Sequence, residues 1–115
     1  METIKVKTPW YAFMGDVPAH LDYFRGSMYE AVERIAEKFP DSAAFRFMGK
    51  ATSYRELVKN IESCARSLKT IGVREGDKVT IALPNCPQAI YMFYAVNLVG
   101  AVANMIHPLS AEREI

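Results

Sequence analysis

The chain has 115 residues, of which 50% are apolar and 11% aromatic, and its formal net charge is +1. This composition is typical of a globular protein and excludes a disordered chain, and the length suits one domain or part of one. Lys and Arg form no cluster, so we expect no basic surface for sequence-independent binding of nucleic acid.

Residues 1–26 are predicted to form an extended N-terminal segment rich in aromatic side chains. Proline and glycine recur through the segment, and neither a helical nor a strand period is sustained. Disordered segments are poor in aromatic residues, so we expect these side chains to pack on the body of the protein.

Residues 27–39 are predicted to form the first helix. Ser27 and Glu30 have the S-x-x-E spacing of a capping box, and Pro40 stops the helical pattern. The apolar residues between them recur at helical spacing and are expected to be the core face. They are Met28, Ala31, Val32, Ile35, Ala36 and Phe39.

A short hairpin and a second helix are predicted to follow. Residues 43–48 alternate as a strand, and residues 51–52 can pair back across a two-residue turn at 49–50. Ser53 begins a second S-x-x-E capping box, and Gly72 is placed as the left-handed residue that closes the helix. The expected core stripe of this helix comprises Tyr54, Leu57, Val58, Ile61, Cys64, Ala65, Leu68 and Ile71.

Residues 78–106 have the pattern strand, helix, strand, which predicts a parallel βαβ unit. Strands at 78–83 and 101–106 flank a helix over 87–99 that has no polar face. A parallel sheet needs helices on both faces, and a helix that is apolar all round needs neighbours on several sides. Three helices and a few strands cannot provide that cover. We therefore predict an α/β fold in which residues 27–115 are the first, incomplete part of a larger domain.

No membrane span or secretory signal is expected. The N-terminus lacks the apolar core of a signal peptide. The apolar stretch at 89–106 is about as long as the shortest membrane spans, but Asn97, Gly100 and Asn104 interrupt it. A helix followed by a strand explains it better.

The sequence offers few candidates for chemistry. His107 follows the second strand of the βαβ unit, where catalytic residues gather. A lone histidine before proline is nevertheless more often structural. His20 is a weaker candidate. Cys64 and Cys86 belong to no CxxC or Cys/His cluster, so we expect reduced thiols rather than a zinc site. Ser110 has the context of an N-cap of a further helix rather than of a nucleophile.

Four motifs in chain order carry a resemblance to a known family. Residues 52–57 (TSYREL) are similar to a (T/S)-Y-x-E-L motif, and residues 72–79 (GVREGDKV) to a G-V-x-x-G-D-x-V connection. Residues 83–87 (LPNCP) are similar to an L-P-N-x-P turn, although they lack the glycines of a nucleotide-phosphate loop. Residues 98–102 (LVGAV), with the Pro-Leu step at 108–109, are similar to an L-x-x-G-A motif.

This ordered set, which covers residues 27–115, resembles the AMP-binding superfamily of adenylate-forming enzymes. The superfamily includes acyl-CoA synthetases, aryl-CoA ligases, luciferases and peptide-synthetase adenylation domains. The chain is identified as the N-terminal segment of an AMP-dependent acyl-CoA synthetase. One departure is His107, where the family pattern leads us to expect Asn or Asp before the proline.

The resemblance implies a two-step reaction in the full-length protein. ATP and a small carboxylate give an acyl-adenylate and pyrophosphate, and the thiol of coenzyme A then displaces AMP. It implies ATP, Mg²⁺ and coenzyme A as cofactors, the remainder of the N-terminal domain and a C-terminal domain as partners, and a cytoplasmic location.

The motifs to which the family owes its catalysis do not occur in this sequence. They are a Ser/Thr/Gly-rich phosphate loop, a later Tyr-Gly-x-Thr-Glu motif, and an Asp and a Lys further toward the C-terminus. The matching positions Tyr54, Glu56, Leu57 and Gly100 have packing, capping and helix-ending roles. No catalytic, cofactor-binding or metal-binding residue is therefore assigned, and none of the cofactors is expected to bind this chain.

Two interpretations of the function of this chain remain open. In the first, the chain is a catalytically silent scaffold segment of the ligase. In the second, it is a truncated paralogue that acts as a protein-interaction module through its uncovered sheet and apolar helix. The carboxylate, and the choice between coenzyme A and a carrier-protein thiol, stay undetermined.

Overall fold

The computed structural model of the chain describes residues 7–110 and residue 113. Within that part of the chain the fold is α/β, with an antiparallel β-hairpin, a parallel pair of strands and three α-helices. The elements are a 3-10 helix at Pro9–Phe13, α1 Met28–Lys38, β1 Ala43–Phe47, β2 Lys50–Ser53, α2 Tyr54–Thr70, β3 Lys78–Ile81, α3 Pro87–Val99 and β4 Val102–Met105. The predicted hairpin and the parallel pairing of the βαβ unit are confirmed.

Helix α1 begins at the predicted capping box. The Glu30 backbone N–H donates to Ser27 Oγ at 3.1 Å, and the Ser27 N–H donates to Glu30 Oε2 at 3.4 Å. Two N–H groups that lack a partner within the helix are thereby satisfied.

The core face of α1 differs from the prediction. Tyr29 is the buried residue, with 4% of its surface exposed, whereas Met28, Ile35 and Phe39 of the predicted stripe are exposed. The reason is the direction from which α2 and α3 approach α1, which no period within α1 can reveal. The predicted stripe instead borders an open groove.

Tyr29 joins α1 to both other helices. Its backbone N–H, in the first turn of α1, donates to Asn97 Oδ1 of α3 at 3.0 Å. Its hydroxyl donates to Glu62 Oε1 of α2 at 3.2 Å. Burial of the phenol, reinforced by the carboxylates of Glu62 and Glu33, raises the pKa of Tyr29 well above the usual range for tyrosine.

The hairpin turn lies one residue earlier than predicted. Phe47 pairs with Lys50, so the two central residues are Met48 and Gly49, not 49–50. Their φ angles of 49° and 81° are typical of a type I′ turn, whose twist matches that of the flanking strands. Met48 therefore has a left-handed backbone, while its side chain is almost fully exposed.

Helix α2 contributes more residues to the core than any other described element. Ile61 of α2 and Val96 of α3 are fully buried. The core cluster comprises Tyr29, Leu57, Ile61, Ala65, Leu68, Ile81, Ala95 and Val96. The prediction was wrong at Ile71, which is 76% exposed because it lies beyond the last helical turn.

The second capping box is only half formed. The Glu56 N–H donates to Ser53 Oγ at 3.2 Å, but within this described segment the Ser53 N–H does not donate to the Glu56 carboxylate. Ser53 is also the last residue of β2, where it is paired with Ala43 in the hairpin.

Both strands of the βαβ unit are shorter than predicted. The Ala101 N–H donates to the Val96 carbonyl at 3.0 Å, beyond Gly100 in the left-handed conformation that closes α3. The Ala101 N–H is thus bonded to the end of α3, and β4 begins at Val102. The Ile106 N–H donates to the Ile81 carbonyl at 3.1 Å as the last bond between the strands, so β3 ends at Ile81.

The N-terminal segment differs from the extended form that was predicted. Residues Pro9–Phe13 form a 3-10 helix, and Trp10, Phe13 and Tyr23 are exposed rather than packed on the body. Phe24 does meet the body, with the Arg34 guanidinium carbon 5.0 Å from its ring centroid. The segment has no apolar period, so it presents no continuous face that could pack.

The helix predicted to begin at Ser110 falls on residues 111–115, which lie outside the described residues apart from 113. Among the described residues, no helix combines the length and the apolar character that crossing a membrane requires.

The first prediction concerns the hairpin turn. Asn adopts a left-handed backbone more readily than Met, so Met48→Asn should raise the free energy of unfolding by about 1 kcal/mol. Urea unfolding followed by circular dichroism measures this difference. Lys50→Asn is the matched control, because Lys50 is paired in β2, and it should bring no gain. A higher free energy of unfolding in Lys50→Asn, with no increase in Met48→Asn, would contradict the observed turn.

The second prediction concerns Tyr29. The folded pKa lies above the ordinary value of about 10, so the contribution of the neutral phenol to stability is complete below about pH 10 and is lost as the pH rises further. Above about pH 10 the chain should lose about 1.4 kcal/mol per pH unit more than Tyr29→Phe loses. Urea unfolding across this pH range tests it. Tyr23→Phe, at an exposed tyrosine, is the control and should follow the unsubstituted chain.

Candidate functional site

The candidate site lies at the edge where β3 and β4 end. The strands are parallel and Ile81 pairs with Met105, so their carboxyl ends meet at one edge of the sheet. The loop that holds Asn85 and Cys86 leaves β3 at this edge, and the turn that begins at His107 follows β4. Open α/β sheets bind ligands beyond the carboxyl ends of their strands.

A groove of about 430 Å³ opens at this edge between β1, the start of α3 and the end of β4, and we call it the edge groove. Its apolar walls include Phe45, Phe47, Ile90, Phe93, Tyr94 and Met105. Arg46 is the charged residue on its lining, and Asn85 and Cys86 lie at the loop. The groove is therefore suited to apolar contact far more than to polar chemistry.

A second groove runs between α1 and the other two helices, and we call it the helix groove. It is bordered by Met28, Ala31, Val32, Ile35, Tyr54 and Tyr94. Tyr94 also lines the edge groove, so α3 is left uncovered on two sides.

The described residues do not fit a bound nucleotide. A triphosphate is held by several backbone N–H groups of a glycine-rich loop together with cationic side chains. The loop after β3 contains no glycine, and the edge groove offers one guanidinium among apolar walls. Nor do the described residues include any group of three side chains able to hold a metal ion. We therefore derive no step of ATP or Mg²⁺ chemistry from them.

The two histidines do not enter either groove. His107 is exposed, and its Nδ1 accepts a hydrogen bond from the Leu109 backbone N–H at 3.1 Å. His20 lies in the N-terminal segment with its ring edge-on to Tyr11, at a centroid distance of 6.2 Å. Neither imidazole lines the edge groove.

Both cysteines are free thiols, as predicted. Cys86 borders the edge groove, while Cys64 packs against the core from α2. Burial raises the pKa of the Cys64 thiol, which is the opposite of what an activated nucleophile requires.

The sequence did not reveal which residues would form the edge groove. Phe45, Arg46 and Phe47 come from the hairpin, about forty residues before α3. Their alternation predicted a strand but not the element it would face. Local periodicity carries no information about a contact between the hairpin and α3.

The chain belongs to the AMP-binding enzyme family. The family's profile matches residues 32–115. The chain is 31% identical over 108 residues to a long-chain-fatty-acid–CoA ligase of Bacillus subtilis (strain 168), which covers 93% of this chain and 19% of that ligase. It is 34% identical over 101 residues to acetyl-coenzyme A synthetase 1 of Candida albicans, which covers 80% of this chain and 15% of that synthetase.

Similarity to solved structures indicates the same family. The chain is similar to the N-terminal subdomain of NpsA from Klebsiella oxytoca, with a TM-score of 0.73 and 28% identity over 76% of this chain and 23% of that one. The chain spans only 15–19% of the length of the two curated relatives above. The family resemblance drawn from the four motifs is confirmed, as is the α/β fold expected of an N-terminal segment.

The third prediction tests whether the buried thiol is inactive. Cys86→Ala leaves Cys64 as the sole thiol of the 115-residue chain. Because burial raises the pKa of the Cys64 thiol, Cys64 should react with iodoacetamide more slowly than an unstructured cysteine. The midpoint of its labelling rate against pH should lie at higher pH. The rate of labelling against pH, measured by mass spectrometry, checks this. The same variant in urea is the control and should recover ordinary reactivity, while fast labelling of the folded chain would contradict the prediction.

Proposed function

We propose that this chain is the opening part of the N-terminal domain of an AMP-forming acid–thiol ligase. The full-length protein would activate a small carboxylate as an acyl-adenylate and transfer the acyl group to coenzyme A. The observation that carries the proposal is the family match over residues 32–115, because the two sequence relatives described above are both named as CoA ligases or synthetases.

The packing of α3 supports the view that the chain works as a scaffold within a longer domain. The helix is apolar all round, yet both the edge groove and the helix groove leave it uncovered. Apolar surface of this kind is stabilised by burial against further protein. The remainder of the N-terminal domain, followed by a C-terminal domain, is the proposed partner.

ATP, Mg²⁺ and coenzyme A are proposed cofactors of the full-length enzyme only. The described residues fit neither a triphosphate nor a metal ion, so the chain alone is proposed to be catalytically silent. A cytoplasmic location is proposed because the reaction uses ATP and coenzyme A.

A carrier-protein thiol is a second candidate acyl acceptor. One structural neighbour, with a TM-score of 0.75 and 27% identity, is an artificially fused adenylation–PCP di-domain of Klebsiella oxytoca. The sequence relatives favour coenzyme A instead. The interaction-module alternative receives no support from these relatives, which are named as ligases or synthetases.

The fourth prediction is the activity of the full-length protein. Pyrophosphate release should require ATP and one class of carboxylate when short, medium and aromatic acids are supplied in turn. The 115-residue chain, assayed in parallel at equal concentration, should release none. Absence of release by the full-length protein with every acid would overturn the ligase proposal, whereas release by the 115-residue chain would overturn its scaffold role.

The acceptor thiol is determined in a second step with the carboxylate found in the first. Adding coenzyme A should give acyl-CoA, which chromatography separates from the free acid. Adding a phosphopantetheinylated carrier protein in its place gives a mass increase on that protein if the carrier is the acceptor. Product with the carrier and none with coenzyme A would replace the coenzyme A proposal by the carrier alternative.

A further inference from the structure

We propose that His107 is a positioning residue whose imidazole Nδ1 holds the turn after β4, with the proton of the neutral ring on Nε2. The Leu109 N–H donates to His107 Nδ1 at 3.1 Å, and the Ser110 N–H donates to the His107 carbonyl at 3.0 Å. One residue therefore accepts two successive backbone hydrogen bonds, one through its side chain and one through its main chain.

The arrangement is the one by which Asn and Asp begin turns. Their side-chain oxygen accepts from the backbone N–H two residues on, while the backbone carbonyl accepts from the residue three on. Pro108 contributes a fixed φ at the second position of the turn and has no N–H of its own. The Leu109 N–H is thus the first backbone donor after His107, and the imidazole satisfies it.

Acceptance by Nδ1 fixes the chemistry of the ring. A ring nitrogen accepts a hydrogen bond only when it carries no proton, so the neutral imidazole must hold its proton on Nε2. This accounts for a histidine at a position where the four motifs led us to expect Asn or Asp. His107 supplies the same acceptor as those residues and, in addition, an N–H on the far side of the ring.

The turn is well placed for this role to matter. It follows directly on the last bond between the strands, from the Ile106 N–H to the Ile81 carbonyl. Holding the turn therefore sets the direction in which the chain leaves the carboxyl edge of the sheet. The inference rests on this geometry alone and does not depend on the reaction that the full-length protein catalyses.

The ring tautomer gives the first test and requires no destabilising variant. We expect nitrogen-15 NMR of the histidine-labelled full-length protein, at a pH where the ring is neutral, to show Nδ1 without a proton and Nε2 with one. Loss of a signal in His107→Asn assigns it, and His20→Asn is the control that should leave the assigned signal unchanged. A proton on Nδ1, or an averaged mixture of tautomers, would overturn the proposal.

The turn itself gives the second test. In His107→Ala the Leu109 amide should exchange its hydrogen about fivefold faster, because the variant lacks one hydrogen bond to that amide. His107→Asn retains an acceptor at this reach and should keep the rate within about twofold of the unsubstituted protein. An unchanged rate in His107→Ala, or equal increases in both variants, would overturn the positioning role. If His107→Ala does not fold, the tautomer and His107→Asn still decide the question.

Discussion

The structure depends on enclosing α3, a helix that has no polar face. Helix α2 covers one side of it, where the fully buried Ile61 and Val96 belong to one core cluster. The hairpin approaches another side, with the rings of Phe45 and Tyr91 at a centroid distance of 6.2 Å. Two sides remain as the edge groove and the helix groove. Because an apolar helix gains stability only where it is covered, this incomplete cover is the physical basis of the proposed scaffold role.

Elements with a local signal could be predicted from the sequence. The capping box at Ser27 and the glycine that closes α3 act within a few residues of themselves, and both were found where the pattern placed them. The hairpin turn was misplaced by one residue because a turn at 48–49 and a turn at 49–50 both contain Gly49. Only the pairing of Phe47 with Lys50 distinguishes them, and that pairing depends on the register of two strands.

Contacts between distant elements could not be predicted from periodicity. Tyr29 lies outside the apolar stripe of α1, and it is buried against residues of α2 and α3 that come much later in the chain. Its backbone N–H donates to Asn97, 68 residues further along. The walls of the edge groove depend in the same way on the hairpin meeting α3. The lack of glycine in the loop after β3 can be read from the sequence alone, because a glycine-rich phosphate loop is continuous in the chain.

The polar side chains of this chain act chiefly on its own backbone. Asn97, Ser27 and His107 each accept a hydrogen bond from a backbone N–H at a helix start or a turn. The bond that Asn97 accepts is partly buried, where an unpaired N–H is costly, whereas the bonds that Ser27 and His107 accept are exposed. These side chains stabilise the backbone where α1 and the turn after β4 begin. In the proposed ligase we expect the reacting groups to come from outside the described residues, while this segment keeps the carboxyl edge of its sheet in place.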